Sequence, residues 1–284
     1  MTATTTTAPQ VAAPIIKGRT PPSWVVSDAL VMTRRNLLRY VRLPNLLIFS
    51  TVQPVMFVLL FVYVFGGAIG AALPKGISYK DYLMAGIFVQ TVIFGSTQTG
   101  VGLADDLAKG MIDRFRSLPM ARSAVLAGRT LSDTVRNVFV VLLITAVGLA
   151  IGFRFHGTFI ESIAALALAV LFGLSFSWIS AFIGMSVRDP EAAQAAGFIW
   201  IFPLVFASSA FVPVYTMPSW LQTFARNNPL TYVINAIRAL ILGKDFDRVA
   251  HLSVWHNLWL SLLWIIAILV VFVPLSVNRY RQAH

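Results

Sequence analysis

Cysteine is absent from this chain of 284 residues, and charged residues are scarce. The missing thiols exclude disulfides, thiolate metal sites and cysteine nucleophiles. Charged residues make up only 12% of the chain, whereas soluble domains carry roughly 25%. Hydrophobic residues make up 57%. Because so few charges cannot cover a surface that faces water, the composition predicts an integral membrane protein.

Catalytic and nucleotide-binding motifs are also missing. The chain contains no GxxxxGK(S/T) phosphate loop, no HExxH zinc motif and no GxSxG nucleophile elbow. No acidic residue is predicted well inside an apolar run, so a proton relay would lack its usual carboxylates. We therefore expect a chain that is not an enzyme and binds no metal or cofactor. If it transports actively, its energy comes from another subunit.

The formal net charge of +11 would suit a nucleic-acid partner. However, the basic residues lie between apolar runs rather than along one solvated face. In membrane proteins, Lys and Arg accumulate on cytoplasmic segments and orient the chain. We therefore expect membrane lipid, and no nucleic acid, as the partner of these charges.

Six apolar runs predict six membrane-spanning helices, because a span needs about 20 apolar residues. The predicted fold is an all-α polytopic membrane domain over residues 45–281, after a disordered cytoplasmic tail at 1–22. The third run is short, and Arg136 and Arg154 are expected to extend from its ends to the two interfaces. The charge bias places both termini in the cytoplasm, at the plasma membrane. The predicted spans are 45–66, 82–104, 134–153, 162–187, 192–213 and 257–278.

A basic amphipathic segment at 23–44 precedes the first span. On a helical wheel Val26, Leu30 and Leu37 share one face, opposite an arginine face. This pattern predicts an interfacial helix whose arginines reach lipid phosphates. The alternative is a straight cytoplasmic extension of the first span. The arginines are Arg34, Arg35, Arg39 and Arg42.

The segment 105–119 between the second and third spans predicts a short amphipathic helix. Its apolar stripe is Leu107, Met111, Phe115 and Leu118. Such a stripe needs a groove, either in a partner or in this chain's own bundle. Both alternatives remain open at this point.

Polar residues occur at depth within the predicted spans. They either line a substrate pathway or form hydrogen bonds between helices, which are worth about 0.6 kcal/mol each. The candidate pathway residues are Gln53, Gln90, Gln98, Thr99 and Ser208.

The outer segment at 214–243 contains a second helix-like stretch from Pro229 to Leu242. Asn228 is its expected N-cap, and Gly243 follows its end. This stretch is too short to cross the bilayer and too apolar to be freely solvated. We therefore expect re-entrant or interfacial half-helices on the outer side.

Three stretches of the chain resemble a known family. They are 113–122 (DRFRSLPMAR), 210–213 (AFVP) and 228–231 (NPLT), the last continuing to Gly243. The sequence resembles the permease subunit of ABC-2 type exporters, in particular the daunorubicin-resistance type. This resemblance covers roughly Arg34 to Arg279.

The resemblance implies that 105–119 is a coupling helix that docks into a separate ATP-binding subunit, which holds ATP and Mg. Phe115 and Leu118 would be the inserted anchors, and Arg114 and Arg116 would meet acidic residues. A second permease, identical or related, would complete the membrane unit. The implied coupling residues are Leu107, Met111, Asp113, Arg114, Phe115, Arg116, Leu118 and Pro119.

The resemblance also implies export of a hydrophobic or amphipathic compound, either a drug such as an anthracycline or a lipid. Within the same family, the substrate could instead be a cell-surface polysaccharide. From a different class, the chain could be a passive channel or a membrane scaffold. A channel would work without nucleotide, and a scaffold would leave ATP hydrolysis insensitive to substrate.

Overall fold

The computed structural model describes residues 22–42, 44–111, 122–243, 246 and 253–282, and these residues contain helices and no strands. A short π-helix at Leu60–Phe65 interrupts the second helix, and a 3₁₀ turn occupies Val214–Thr216. The α-helices are α1 (Pro22–Arg42), α2 (Pro44–Leu59), α3 (Gly66–Gly70), α4 (Tyr79–Ala108), α5 (Arg122–Ala150), α6 (Phe159–Val187), α7 (Pro190–Phe206), α8 (Ser219–Asn227), α9 (Pro229–Leu242) and α10 (Val254–Gln282).

Five stretches of the described helices are long and apolar enough to cross a membrane: Ser50–Gly70, Tyr79–Ala108, Ala124–Ala150, Phe159–Val187 and Val254–Tyr280. These confirm an all-helical polytopic membrane protein. The predicted span at 192–213 corresponds to α7, which is apolar but only 17 residues long. The count of six spans therefore stays a prediction.

A side chain from another segment caps the end of helix α7. Asn228 donates Nδ2 to the carbonyl oxygens of Leu204 and Ala207, at 2.7 and 2.9 Å. The Oδ1 atom of the same side chain accepts from the Leu230 amide and so caps the start of α9. One asparagine therefore caps both the end of α7 and the start of α9. The sequence-based bounds of α9 are confirmed, whereas its re-entrant position in the membrane stays a prediction.

Helix α4 is the centre of the bundle and contacts α5, α6, α7 and α9. Its close approach to α6 depends on two glycines. A Cβ atom on Gly184 would lie 2.1 Å from the Gly100 carbonyl oxygen, and a Cβ on Gly100 would lie 2.3 Å from that of Ser180. Only residues without a side chain allow the two backbones to touch in this way. Around this contact α4 buries most of its length.

Helix α1 is separate from α2, which begins at Pro44, and it packs on the first turns of α5. Its buried face holds Ala29, Met32, Thr33 and Asn36. The Thr33 hydroxyl donates to the Ala29 carbonyl oxygen at 2.7 Å and approaches that of Gly128 at 3.3 Å.

The remaining surface of α1 is exposed and includes residues of both predicted faces. Val26, Leu30, Arg34, Arg35 and Arg42 are all exposed, while the side chain of Arg39 lies outside the described residues. The sequence pattern did not identify the small and polar face that binds α5. The position of α1 at the lipid interface stays a prediction.

Candidate functional site

A cavity of about 550 Å³ lies between α1, α2, α4, α5 and α7. Glutamines from three helices meet on its wall: Gln53 from α2, Gln90 and Gln98 from α4, and Gln194 from α7. Gln90 is buried, whereas Gln53, Gln98 and Gln194 are exposed. The structure therefore brings together three of the five residues predicted to line a pathway.

The other two predicted pathway residues do not line this cavity. Thr99 is fully buried and donates its hydroxyl to Asp133 Oδ2 at 2.6 Å. Ser208 lies just beyond the end of α7 and donates to the Val205 carbonyl oxygen at 2.6 Å. The Thr99 hydroxyl therefore forms a hydrogen bond between helices, which was the alternative for such residues, whereas the Ser208 bond is local to its own segment.

A buried carboxylate joins three helices beside the cavity. Asp133 on α5 is completely buried. It accepts hydrogen bonds from the Tyr40 hydroxyl of α1 at 2.8 Å, from Thr99 of α4, and from Arg129 Nε at 3.3 Å. Burial, followed by the neighbouring Asp133 charge, raises the pKa of Tyr40 to about 12. Tyr40 is therefore a neutral hydrogen-bond donor at physiological pH.

Asp133 lies in a helix that begins before the third predicted span, and the bounds of that span in the membrane stay a prediction. The third predicted span began at 134, and no acidic residue was expected well inside a span. The structure instead starts α5 at Arg122, so that Asp133 lies within the 29-residue helix. The charged residues at the start of α5 interrupt the apolar run, but Asp133 and Arg129, four residues apart, form an ion pair in the protein interior. The point in the sequence where charged residues give way to an apolar run therefore does not mark the start of the helix.

Arg136 is also placed differently from the prediction that it extends to the interface. It is 4% exposed, and its Nη2 atom donates to the Gly95 carbonyl oxygen of α4 and to Asn137 Oδ1. The guanidinium lies 5.9 Å from the centre of the Tyr40 ring. Arg154, by contrast, is exposed and donates to the carbonyl oxygens of Leu149 and Phe153 near the end of α5.

Two glycines of α4 make room for the two arginines of α5. A Cβ atom on Gly95 would lie 3.0 Å from Arg136 Nη2, and a Cβ on Gly102 would lie 1.8 Å from Arg129 Nη2. The glycines are seven residues apart, and so are the arginines. This shared spacing is visible in the sequence and could have identified the pair of contacts. Composition and run length alone do not identify it.

The predicted coupling segment is described only at its start, and there the helix boundary was wrong. Asp105 and Leu107 belong to the last turns of α4, which ends at Ala108, and Gly110 follows with φ +64°. Leu107 packs against a cluster that includes Leu103, so it is partly covered by its own bundle. Met111 is half-buried. The other predicted coupling residues lie outside the described residues: Asp113, Arg114, Phe115, Arg116, Leu118 and Pro119.

Comparison with known proteins agrees with this architecture. Residues 28–242 match the family model described as ABC-2 type transporter. The chain is 34% identical over 257 residues to the daunorubicin resistance ABC transporter permease protein DrrB1 of Streptomyces coeruleorubidus, covering 90% of this chain and 87% of that protein. It is 25% identical to the probable doxorubicin resistance ABC transporter permease protein DrrC of Mycobacterium tuberculosis, covering 91% and 90%. It is 27% identical to the putative transport permease ycf38 of Porphyra purpurea, covering 82% and 81%. The chain belongs to the ABC-2 type transporter family.

Proposed function

We propose that this chain is the permease subunit of an ATP-driven exporter that moves an amphipathic compound, a drug or a lipid, out of the cell. The observation that carries the proposal is the glutamine-lined cavity inside a lipid-soluble bundle. Its volume of about 550 Å³ lies within the roughly 300–1,000 Å³ of pockets that hold drug-sized ligands. The cavity wall includes the polar Gln53 and Gln98 and the apolar Phe94 and Phe198, which supports a ligand with both polar and apolar parts.

The extent of the cavity along α4 supports a transport path. Its lining residues on and just beyond this helix run from Gln90 to Lys109, a distance of about 28 Å at 1.5 Å per residue. That length approaches the roughly 30 Å of the hydrocarbon core. Lys109 lies within the predicted coupling segment, 105–119. In the proposed orientation, the Lys109 end faces the cytoplasm, where the substrate enters.

The names of the relatives support a drug as the substrate class, since two of them are described as daunorubicin or doxorubicin resistance permeases. The polysaccharide alternative has less support, because its substrate needs a wide, aromatic-lined conduit. A second permease has support from the exposed Gln53, Gln98 and Gln194. Amides that face hydrocarbon lack hydrogen-bond partners, and a second copy would cover these side chains.

The energy source in this proposal is a separate ATP-binding subunit that carries ATP and Mg. Its closure would be transmitted through the coupling segment to α4, which contacts α5, α6, α7 and α9. Rigid-body tilting of packed helices would then alternate the access to the cavity. The role of the coupling segment in this proposal is inferred from its sequence pattern.

The double substitution Phe115→Asp with Leu118→Asp tests this proposal. In vesicles that contain the permease and its ATP-binding subunit, we expect daunorubicin-stimulated ATP hydrolysis and export to fall at least about ten-fold, because charges replace the apolar anchors. The matched control is Phe159→Asp, at an 80% exposed position at the start of α6, which should retain both activities. Unchanged stimulated hydrolysis in the double variant would refute the docking role. Export without nucleotide would support the channel alternative instead.

A further inference from the structure

Phenylalanines form a ladder on one face of α7. Phe198, Phe202 and Phe206 follow each other at intervals of four residues, which places them on the same side of the helix. Their ring centres are 5.6 and 5.7 Å apart, and the last two rings are stacked. Phe198 lines the cavity, and Phe206 is the last residue of α7. The ladder therefore extends about 12 Å along α7 from the cavity wall, at about 1.5 Å per residue.

A second ladder lies on the stretch Ser50–Gly70. Phe57, Phe61 and Phe65 repeat the interval of four residues, with ring centres 6.0 and 5.3 Å apart. Phe211, just beyond α7, joins the two ladders, because its ring is stacked on Phe61 at 4.3 Å and lies 5.3 Å from Phe206. We call the two ladders together with Phe211 the phenylalanine track.

The phenylalanine track begins at the cavity and continues its wall. Phe94 of α4 also lines the cavity, and its ring centre lies 5.7 Å from that of Phe198 and 5.3 Å from that of Phe202. Farther along, the rings are only partly covered: Phe202 is 42% exposed, Phe206 is 44% exposed and Phe65 is 42% exposed. The described part of the chain therefore leaves a ring surface uncovered along the track, and this surface is continuous with the cavity.

The span that carries the second ladder is loosely held. Among the five stretches long enough to cross the membrane, Ser50–Gly70 is the least buried. Its backbone contains Pro54 and changes to a π-helix at Leu60–Phe65, the segment that carries two rings of the ladder. Single turns of π-helix inside α-helices occur frequently at functional sites. Since few contacts hold this span, a gap between the two ladders can open at a small cost in packing.

We propose that the phenylalanine track is the route by which the substrate leaves the cavity, and that it selects compounds with a flat aromatic ring system. The inference rests on the proposed function and specifies its substrate class and exit route. Lipid tails are as apolar as aliphatic side chains, so burial alone gives a substrate no preference for the track over the bilayer. Aromatic rings gain an additional attraction from stacked and edge-to-face contacts with other rings. An aromatic substrate therefore prefers the track, whereas an aliphatic one does not.

The spacing of the rings suits movement along the track. Successive ring centres are 4.3 to 6.0 Å apart, which is within the range of aromatic contacts. A flat ring system can therefore contact the next phenylalanine before it leaves the previous one. Transport needs sites that bind well enough to be entered and weakly enough to be left, and a row of similar weak sites meets both needs.

Photolabelling of the unmodified protein locates the route. The permease and its ATP-binding subunit are placed in vesicles with one of two probes that share a trimethylammonium head, one with an aryl diazirine and one with an alkyl diazirine. During ATP hydrolysis, we expect the aryl probe to label Phe202 and Phe206 at least about five-fold more than Phe139, which is 48% exposed on α5. The alkyl probe should label the three positions to a similar extent. Equal labelling of the three positions by the aryl probe would overturn the inference.

Substitutions then test whether the rings provide the selectivity. ATP-dependent export of pyrenylbutyl-trimethylammonium is compared with that of dodecyl-trimethylammonium, both at tracer concentration. We expect kcat/KM of the unmodified protein to favour the pyrenyl compound at least about ten-fold, which equals about 1.4 kcal/mol. Phe202→Leu with Phe206→Leu should lower this ratio at least about five-fold, because the side chains stay apolar but lose their rings. The double change to tyrosine keeps both rings and should keep the ratio, as should the matched control Phe139→Leu.

The other outcomes separate the alternatives. An unchanged ratio in the double leucine variant, or an equal loss of export for both compounds, would overturn the inference, since rings that only hold the structure together would affect both compounds alike. An equal loss with a smaller assembly in size-exclusion chromatography would mean that a second permease covers the rings instead. If the variant does not assemble, the photolabelling decides the question. Export of daunorubicin with no preference for the pyrenyl compound would overturn this inference and leave the proposed function intact, whereas no ATP-dependent export of any of the three compounds would count against the proposed function itself.

Discussion

Replacing Asp133 with leucine should be the most destabilising single change near the cavity. The substitution removes the charge partner of Arg129 and the acceptor for the Tyr40 and Thr99 hydroxyls. Arg129 is itself only 9% exposed, so its charge would stay buried without compensation. Removing one partner of a buried ion pair costs about 3–5 kcal/mol. We expect a loss near the middle of this range, about 4 kcal/mol.

A double-mutant cycle measures how much of this loss belongs to the pair. In Arg129→Met with Asp133→Leu, the uncompensated charge is gone, so this variant should be more stable than Asp133→Leu alone by at least about 2 kcal/mol. The assay is equilibrium unfolding of the detergent-solubilised protein with increasing dodecyl sulfate. Thr99→Val, which removes one hydrogen bond to the carboxylate, should cost about 2 kcal/mol. If the Arg129 and Asp133 substitutions are additive, the reasoning from the buried pair is refuted.

Two other predictions concern packing, and both are read from thermal unfolding in detergent. Gly184→Ala should lower the free energy of unfolding by about 1–3 kcal/mol, because its Cβ would lie 2.1 Å from the Gly100 carbonyl oxygen. The control Gly67→Ala should not destabilise the protein, because a Cβ there has nothing within 4 Å. Equal melting temperatures of the two variants would contradict the α4–α6 contact. Arg238→Met should lower the free energy of unfolding by about 2 kcal/mol. The buried Arg238 guanidinium lies 3.6 Å from the centre of the Tyr82 ring and donates to the Tyr82 carbonyl oxygen, and both contacts would be lost. Arg238→Lys should recover less than half of that loss, since a lysine cannot reproduce the planar set of donors, and full recovery would argue against this geometry.

The apolar helices and the outer capping signals could be predicted from local sequence. Long apolar runs require backbone hydrogen bonds to be satisfied within the segment, which in a bilayer favours helices. Asn228, Pro229 and Gly243 have local conformational preferences that fix the ends of α9. These features depend on residues that are close along the chain.

The predictions from sequence failed for charged residues whose hydrogen-bond partners lie far away along the chain. Asp133 and Arg136 were read as lying outside a span or at its edge, because a lone charge in hydrocarbon is unfavourable. The hydrogen bonds that make their burial tolerable come from Tyr40, Thr99 and the Gly95 carbonyl oxygen, on two other helices. The cap at the end of α7 also comes from a residue farther along the chain, Asn228.

By itself, the sequence determined that this protein is a helical membrane protein of the ABC-2 permease type without a nucleotide-binding motif. Those properties follow from composition, run length and short motifs. Only the tertiary structure decided which polar residues share one cavity and that Arg136 is buried against α4. The reason is geometric: the face that each helix turns inward depends on close contacts such as Gly100 with Gly184 and Gly95 with Arg136, and those contacts join residues far apart in the chain.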